Sequence, residues 1–75
     1  MEMTTLDLKG LQCPLPVLRT NKALRGMPVG AELLVLATDP AAPQDFENFC
    51  QMTGHVLVAS TENDGVFSIL IRKAV

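Results

Sequence analysis

The sequence predicts an α+β two-layer sandwich in the order βαβαββ, a four-stranded mixed sheet with two helices packed on one face. Three observations carry this reading. Two stretches place apolar residues at helical steps and alternate with strand-like runs. Each helical stretch is closed by a stop signal, Gly26 followed by Pro28 in the first case and Gly54 in the second. The last two strand-like runs are separated only by Asn63-Asp64-Gly65, a short glycine-ended connection of the kind that joins hairpins. With 75 residues and no repeat, linker or low-complexity segment, the chain reads as one domain, 1–75.

Taken in order, residues 4–8 alternate and form a short first strand, ended by Gly10. Over 14–25 the period becomes helical, with Val17, Thr20, Leu24 and Met27 on one face and Arg19, Lys22 and Arg25 at other angles. Residues 31–37, AELLVLA, are almost continuously apolar, as expected of a central strand covered by helices. Asp39-Pro40 breaks this run. Asp39 can cap the second helix, with Pro40 or Pro43 in its first turn and Phe46, Phe49 and Cys50 on its inner side. Residues 55–62 and 66–73 are the closing strands. A right-handed first crossover makes strands one and two parallel, and the hairpin makes the last two antiparallel. Leu33-Leu34-Val35-Leu36 points apolar residues to both sides of the sheet, so the face away from the helices is expected either to be covered by Met and Leu side chains or to meet a partner or a second copy.

Composition narrows the function classes. Apolar residues are 48% and charged residues 19% of the chain, which excludes disorder, and no apolar run approaches the roughly 20 residues needed to span a bilayer. The start carries Glu2 and Asp7 and lacks the apolar core of a signal peptide, so a cytoplasmic protein without membrane contact is expected. Net charge is −2, Trp and Tyr are absent, and the three phenylalanines fall at core or sheet positions, so direct nucleic-acid binding is not expected. The two cysteines, Cys13 and Cys50, form no CxxC pair. With the single histidine, His55, they show no ligand spacing, so no metal and no cofactor are expected. In a reducing compartment both cysteines are read as free thiols.

The stretch GLQCPLPVL concentrates the chemistry. Cys13 falls at the end of the first strand–helix loop, at the mouth of the first helix. Unpaired N–H groups at a helix start favour an anion, and thiols placed there have lowered pKa values. Pro14 and Pro16 cost little in a first turn and stiffen the loop, and Gly10 lets it turn. Lys9, Arg19, Lys22 and Arg25 surround Cys13 in sequence, whereas residues 32–64 contain acids and no Lys or Arg. Free cysteine is commonly a small buried hydrophobe, yet loop position, prolines, helix mouth and basic neighbours together favour a functional thiol. A cysteine hydrolase needs a base, and His55, at the start of the third strand, is separated from Cys13 by a crossover and a helix. A dithiol oxidoreductase needs a resolving thiol, and Cys50 lies on an apolar helix stripe. A single nucleophilic thiol without local machinery suits covalent carriage.

With the flanks LDLKGLQCPLPVL, DP…DFENFC and ILIRK in register, the chain resembles the TusA/SirA-like sulfur carrier family along almost its whole length. The resemblance implies the same βαβαββ sandwich, with Cys13 carrying sulfane sulfur as a persulfide and Pro14 and Pro16 shaping its loop. It implies a protein donor, a cysteine desulfurase or another sulfurtransferase, and a protein acceptor, with DsrE-like relay proteins among the family's acceptors. Such a protein is a sulfurtransferase-type carrier rather than a stand-alone turnover enzyme. Leu15 stands where the tRNA-thiolation carriers have an acidic residue, and Asn21 where they have a helix arginine, while Lys22 and Arg25 match. Arg19, Lys22 and Arg25 are therefore the candidate docking surface for an acidic partner. Two other classes remain in view: a non-catalytic regulatory or interaction domain of the same fold, and a redox-sensing thiol protein.

Overall fold

Alternation along the central strand decides which side of the sheet meets the helices. In the computed structural model, which describes residues 3–75, the elements run β1 (Met3–Asp7), α1 (Leu15–Arg25), β2 (Glu32–Ala37), α2 (Ala42–Thr53), β3 (Val56–Asn63) and β4 (Val66–Arg72). The part of the N-terminal reading that rests on Glu2 lies outside the described residues. Along β2, Leu33, Val35 and Ala37 are fully buried while Glu32, Leu34 and Leu36 are half-buried, the period of two expected of a pleated strand. The βαβαββ two-layer architecture is the one the sequence predicts.

The sheet order is β1-β2-β4-β3. β1 runs parallel to β2, with Thr4 opposite Leu33 and Asp7 opposite Leu36. β4 lies antiparallel to β2, pairing Ile71 with Leu33 and Ile69 with Val35, so the most apolar strands occupy the centre. β3 is antiparallel to β4 at the edge, carries a bulge between Leu57 and Ala59, and is mostly exposed. The helices bury Thr20 and Leu24 from α1 and Ala42, Phe46, Phe49 and Cys50 from α2 against Leu33, Val35, Ile69 and Ile71. Phe46 and Phe49 meet edge to face, with ring centroids 6.4 Å apart.

Several element ends differ from the sequence reading. Leu8 lies beyond β1, but its N–H still donates to the Leu36 carbonyl at 2.8 Å and its side chain is buried. α1 begins at Leu15, with Pro14 as its cap residue, and α2 is preceded by Ala41 rather than capped directly by Asp39. Asn63 pairs with Val66, so the hairpin loop has two residues, Asp64 and Gly65, not three. Both take positive φ, 51° and 80°, the mirror-image turn whose twist matches that of the strands and for which Asp-Gly is suited. On the face away from the helices, Leu34, Leu36 and Leu70 stay half-buried, and Met52, at 86% exposed, does not fold over them.

Phe46 is the largest fully buried side chain. Phe46→Ala is expected to cost about 3–5 kcal/mol, a large share of the stability of so small a domain, as measured by urea unfolding followed by circular dichroism.

Candidate functional site

Parallel pairing of β1 and β2 places their carboxyl ends side by side, so the loops that leave them must meet. The loop after β1 turns at Gly10, whose φ of +85° strains any side-chain-bearing residue. An added Cβ there would meet nothing within 4 Å, so it is conformation and not space that calls for glycine. The Gly10 N–H donates to Thr38 Oγ1 at 2.9 Å, which ties the two loops at their base. Above it, Asp39 spans both. Its Oδ2 accepts the Cys13 N–H at 2.7 Å, and its Oδ1 accepts the Ala41 N–H at 3.1 Å, where α2 begins. Residues 10–13 on one side and Thr38, Asp39 and Pro40 on the other enclose an open cleft of about 390 Å³, with Cys13 exposed at its rim.

The thiol's electrostatic setting corrects the sequence reading. The Cys13 pKa is raised, not lowered: the Asp45 carboxylate favours the protonated thiol, partial loss of water adds to this, and the negative charges of Asp45 and Asp39 act in the same direction. The helix mouth offers little in return. Pro14 and Pro16 have no N–H, and the Leu15 N–H is taken by the Gln12 carbonyl at 2.9 Å, so of residues 14–17 only Val17 keeps a donor not engaged in this way. The prolines that stiffen the loop also remove the donors that would have favoured an anion.

The cations do not converge on the thiol as their sequence positions suggest. Lys9 pairs with Asp7 at 3.0 Å. Arg19, Lys22 and Arg25 are all exposed on α1, and at a rise of about 1.5 Å per residue Arg25 lies roughly 15 Å along the axis from Leu15. They form a row leading away from the site, beside the exposed Leu15 and Leu18.

The sequence profile described as Sulfurtransferase TusA matches residues 4–73. The chain belongs to the TusA sulfurtransferase family. Two proteins of Neisseria meningitidis, from serogroups A and B, bear sulfur carrier names and are each 56% identical to it over 72 residues, covering 96% of this chain and 97% of theirs. The sulfur carrier protein TusA of Allochromatium vinosum is 48% identical over 69 residues, covering 92% of this chain and 91% of its own. The crystal structure of a SirA-like protein from Desulfitobacterium hafniense superposes with a TM-score of 0.82 at 28% identity, covering 99% of this chain and all of that one.

Within this TusA-family chain the other candidate groups have structural places. Cys50 is buried among core residues, and burial pushes its thiol pKa up. His55 Nδ1 accepts the Ala74 N–H at 3.2 Å, and its ring lies against Phe49, so its contacts bind the chain end to α2. Sequence reasoning missed three members of the site: Thr38 and Asp39 as bridges between loops, and Asp45 at the thiol. Parallel strands one and two already imply that the two loops share an end of the sheet, so Asp39 was within reach of that argument.

Asp39→Ala leaves the Cys13 and Ala41 N–H groups without their carboxylate and is expected to lower stability by about 1–3 kcal/mol, measured by denaturant unfolding. Alkylation of the native chain is expected to label Cys13 only, with Cys50 labelled after unfolding, as peptide mass spectrometry with and without denaturant would show.

Proposed function

We propose that this chain is a cytoplasmic sulfur carrier that holds sulfane sulfur as a persulfide on Cys13 and relays it between proteins. The observation that supports this most directly is the placement of one exposed thiol at the rim of the cleft, its backbone fixed by Asp39, while the second thiol is sealed in the core. In loading, Cys13 Sγ attacks the terminal sulfur of a donor persulfide. A new S–S bond forms on Cys13, the donor's S–S bond breaks, and the donor cysteine leaves as a thiolate that takes up the proton Cys13 released. Unloading repeats the exchange, with an acceptor thiol as the nucleophile. No net oxidation is needed, so the chain requires no redox cofactor for the transfer.

Gly10, Pro14 and Pro16 set the loop that presents the sulfur. The donor fitting this chemistry is a protein persulfide, as formed by a cysteine desulfurase or another sulfurtransferase, and the acceptor is a protein thiol such as that of a DsrE-like relay protein. Arg19, Lys22 and Arg25, exposed beside Leu15 and Leu18, supply a basic and apolar surface suited to a partner with acidic residues around an apolar patch.

The test is intact-protein mass spectrometry after incubation with a cysteine desulfurase and cysteine, or with a thiosulfate-fed sulfurtransferase. The chain is expected to gain one sulfur atom that reduction removes. Cys50→Ala keeps the gain and Cys13→Ser abolishes it. No gain with either kind of donor would overturn the carrier reading in favour of an interaction domain.

A further inference from the structure

The strand register sorts the charges of this chain along the sheet. Asp7 stands opposite Leu36 at the end of β1, and Ala37 opposite Phe67 at the start of β4, so the Asp64–Gly65 turn lies at the same end of the sheet as the cysteine loop. Exposed Glu62 and Asp64 therefore share that end with Cys13, and the strand order sets β3 roughly 14 Å from β1, at about 4.8 Å per step. α2 also starts there, after Asp39 and with Asp45 in its first turn. Most cations lie elsewhere. Arg72 stands opposite Glu32 at the far end of the sheet, Lys73 Nζ donates to the Met27 carbonyl beyond α1, and Lys22 and Arg25 fall in the last turn of α1. Lys9, in the cysteine loop, is paired with Asp7 at 3.0 Å. In the cleft itself Asp39 is the charged residue of the lining, its Oδ2 2.7 Å from the Cys13 nitrogen, and no Lys, Arg or His stands among the residues that line it.

We propose that the thiol end of the molecule docks a partner whose reacting cysteine is flanked by basic residues. This rests on the reading of Cys13 as the sulfur-bearing group, and adds to it the chemistry of the segment that must enter the cleft. A protein thiol or persulfide that reaches Cys13 brings the residues on either side of it against Asp39 and, further out, towards the hairpin. Two unit charges in contact interact by roughly 1 kcal/mol in water, and at physiological salt that influence reaches about 8 Å. Asp39 therefore has the largest effect on such a segment, and Glu62 and Asp64 a smaller one. The negative charges of Asp39 and Asp45 also bear on the thiol, with no Lys or Arg acting beside them. The basic row of α1 then meets acidic residues further along the same partner. A partner charged in the opposite sense at both places is held in one orientation.

The experiment presents Cys13, in the full chain carrying Cys50→Ala, with capped peptides Lys-Cys-Lys and Glu-Cys-Glu whose cysteine bears a pyridyl disulfide. Cys13 Sγ bonds to the peptide sulfur, the pyridyl S–S bond breaks, and pyridinethione leaves with the proton from Cys13, so its absorbance gives the rate. The reference is the unstructured peptide of residues 10–16, which holds the same cysteine and prolines and no charged side chain. At about 0.1 M salt the chain is expected to favour the lysine peptide over the glutamate peptide roughly fivefold more than the reference does, and at about 1 M to lose most of that preference. Asp39→Asn is expected to reduce the preference roughly two- to threefold. Glu62→Gln with Asp64→Asn leaves the cysteine loop untouched, keeps a residue that accepts the turn's positive φ, and is expected to reduce it roughly 1.5-fold. Glu32→Gln, at the far end of the sheet, is expected to leave it whole. Equal preference in chain and reference, or preference for the glutamate peptide, overturns the proposal. So does a preference that both thiol-end variants leave whole, or that Glu32→Gln reduces as much as Asp39→Asn. The readout needs no sulfur donor: loading that fails while the preference holds counts against the carrier reading alone, and a lost preference with loading intact counts against this docking surface alone.

Discussion

The Asp39 carboxylate joins the cysteine loop to the start of α2, above the Gly10–Thr38 hydrogen bond that ties the same two loops at their base. One oxygen holds the Cys13 N–H at 2.7 Å and the other holds the Ala41 N–H at 3.1 Å, so the cysteine loop and the start of α2 move as one unit. Hydrogen bonds to an ionised acceptor are shorter and stronger than neutral ones, which suits a largely exposed loop with few apolar contacts of its own. The cleft and the exposure of Cys13 at its rim both depend on this junction. Its position follows in turn from the parallel pairing of β1 and β2, which brings the carboxyl ends of both strands to the same edge of the molecule.

Beneath the junction, a one-sided core keeps the scaffold stiff. Leu33, Val35, Ile69 and Ile71 from the two central strands face Leu24, Phe46 and Phe49, and the core reaches the site through Leu8 and Ala42, which flank the two loops. Functional groups therefore sit on loops whose roots are packed, while their tips remain free to meet a partner. The opposite face of the sheet keeps Leu34, Leu36 and Leu70 half-buried, so the apolar surplus seen in the β2 run is real and lies away from the thiol.

The chemistry assigned to Cys13 balances presentation against reactivity. A thiol at a bare helix mouth, flanked by cations, would be ionised and quick to react. Here two prolines and the Gln12 carbonyl remove most of the helix donors, and the negative charges of Asp45 and Asp39 oppose ionisation of the thiol. The basic row of α1 lies on an exposed helix face and leads away from the thiol.

The sequence alone determined the element order, because helical and strand periods, stop signals and the Asp-Gly turn are local and repeat within a few residues. It also singled out Cys13, because a cysteine ahead of two prolines at a strand–helix junction is an arrangement written in consecutive residues. Element ends shifted by a residue or so, as at Pro14, which stands as the cap residue of α1, and at Leu8, which lies beyond β1 although it keeps a hydrogen bond to Leu36. The electrostatic setting of the thiol was not legible in this way. Along the chain the nearest charge to Cys13 is Lys9, and in space the ones that act on it are Asp39 and Asp45, which lie 26 and 32 positions on (39 − 13 and 45 − 13). Coulombic and hydrogen-bonding effects follow distance through space, and only the folding of the crossover onto the sheet sets that distance.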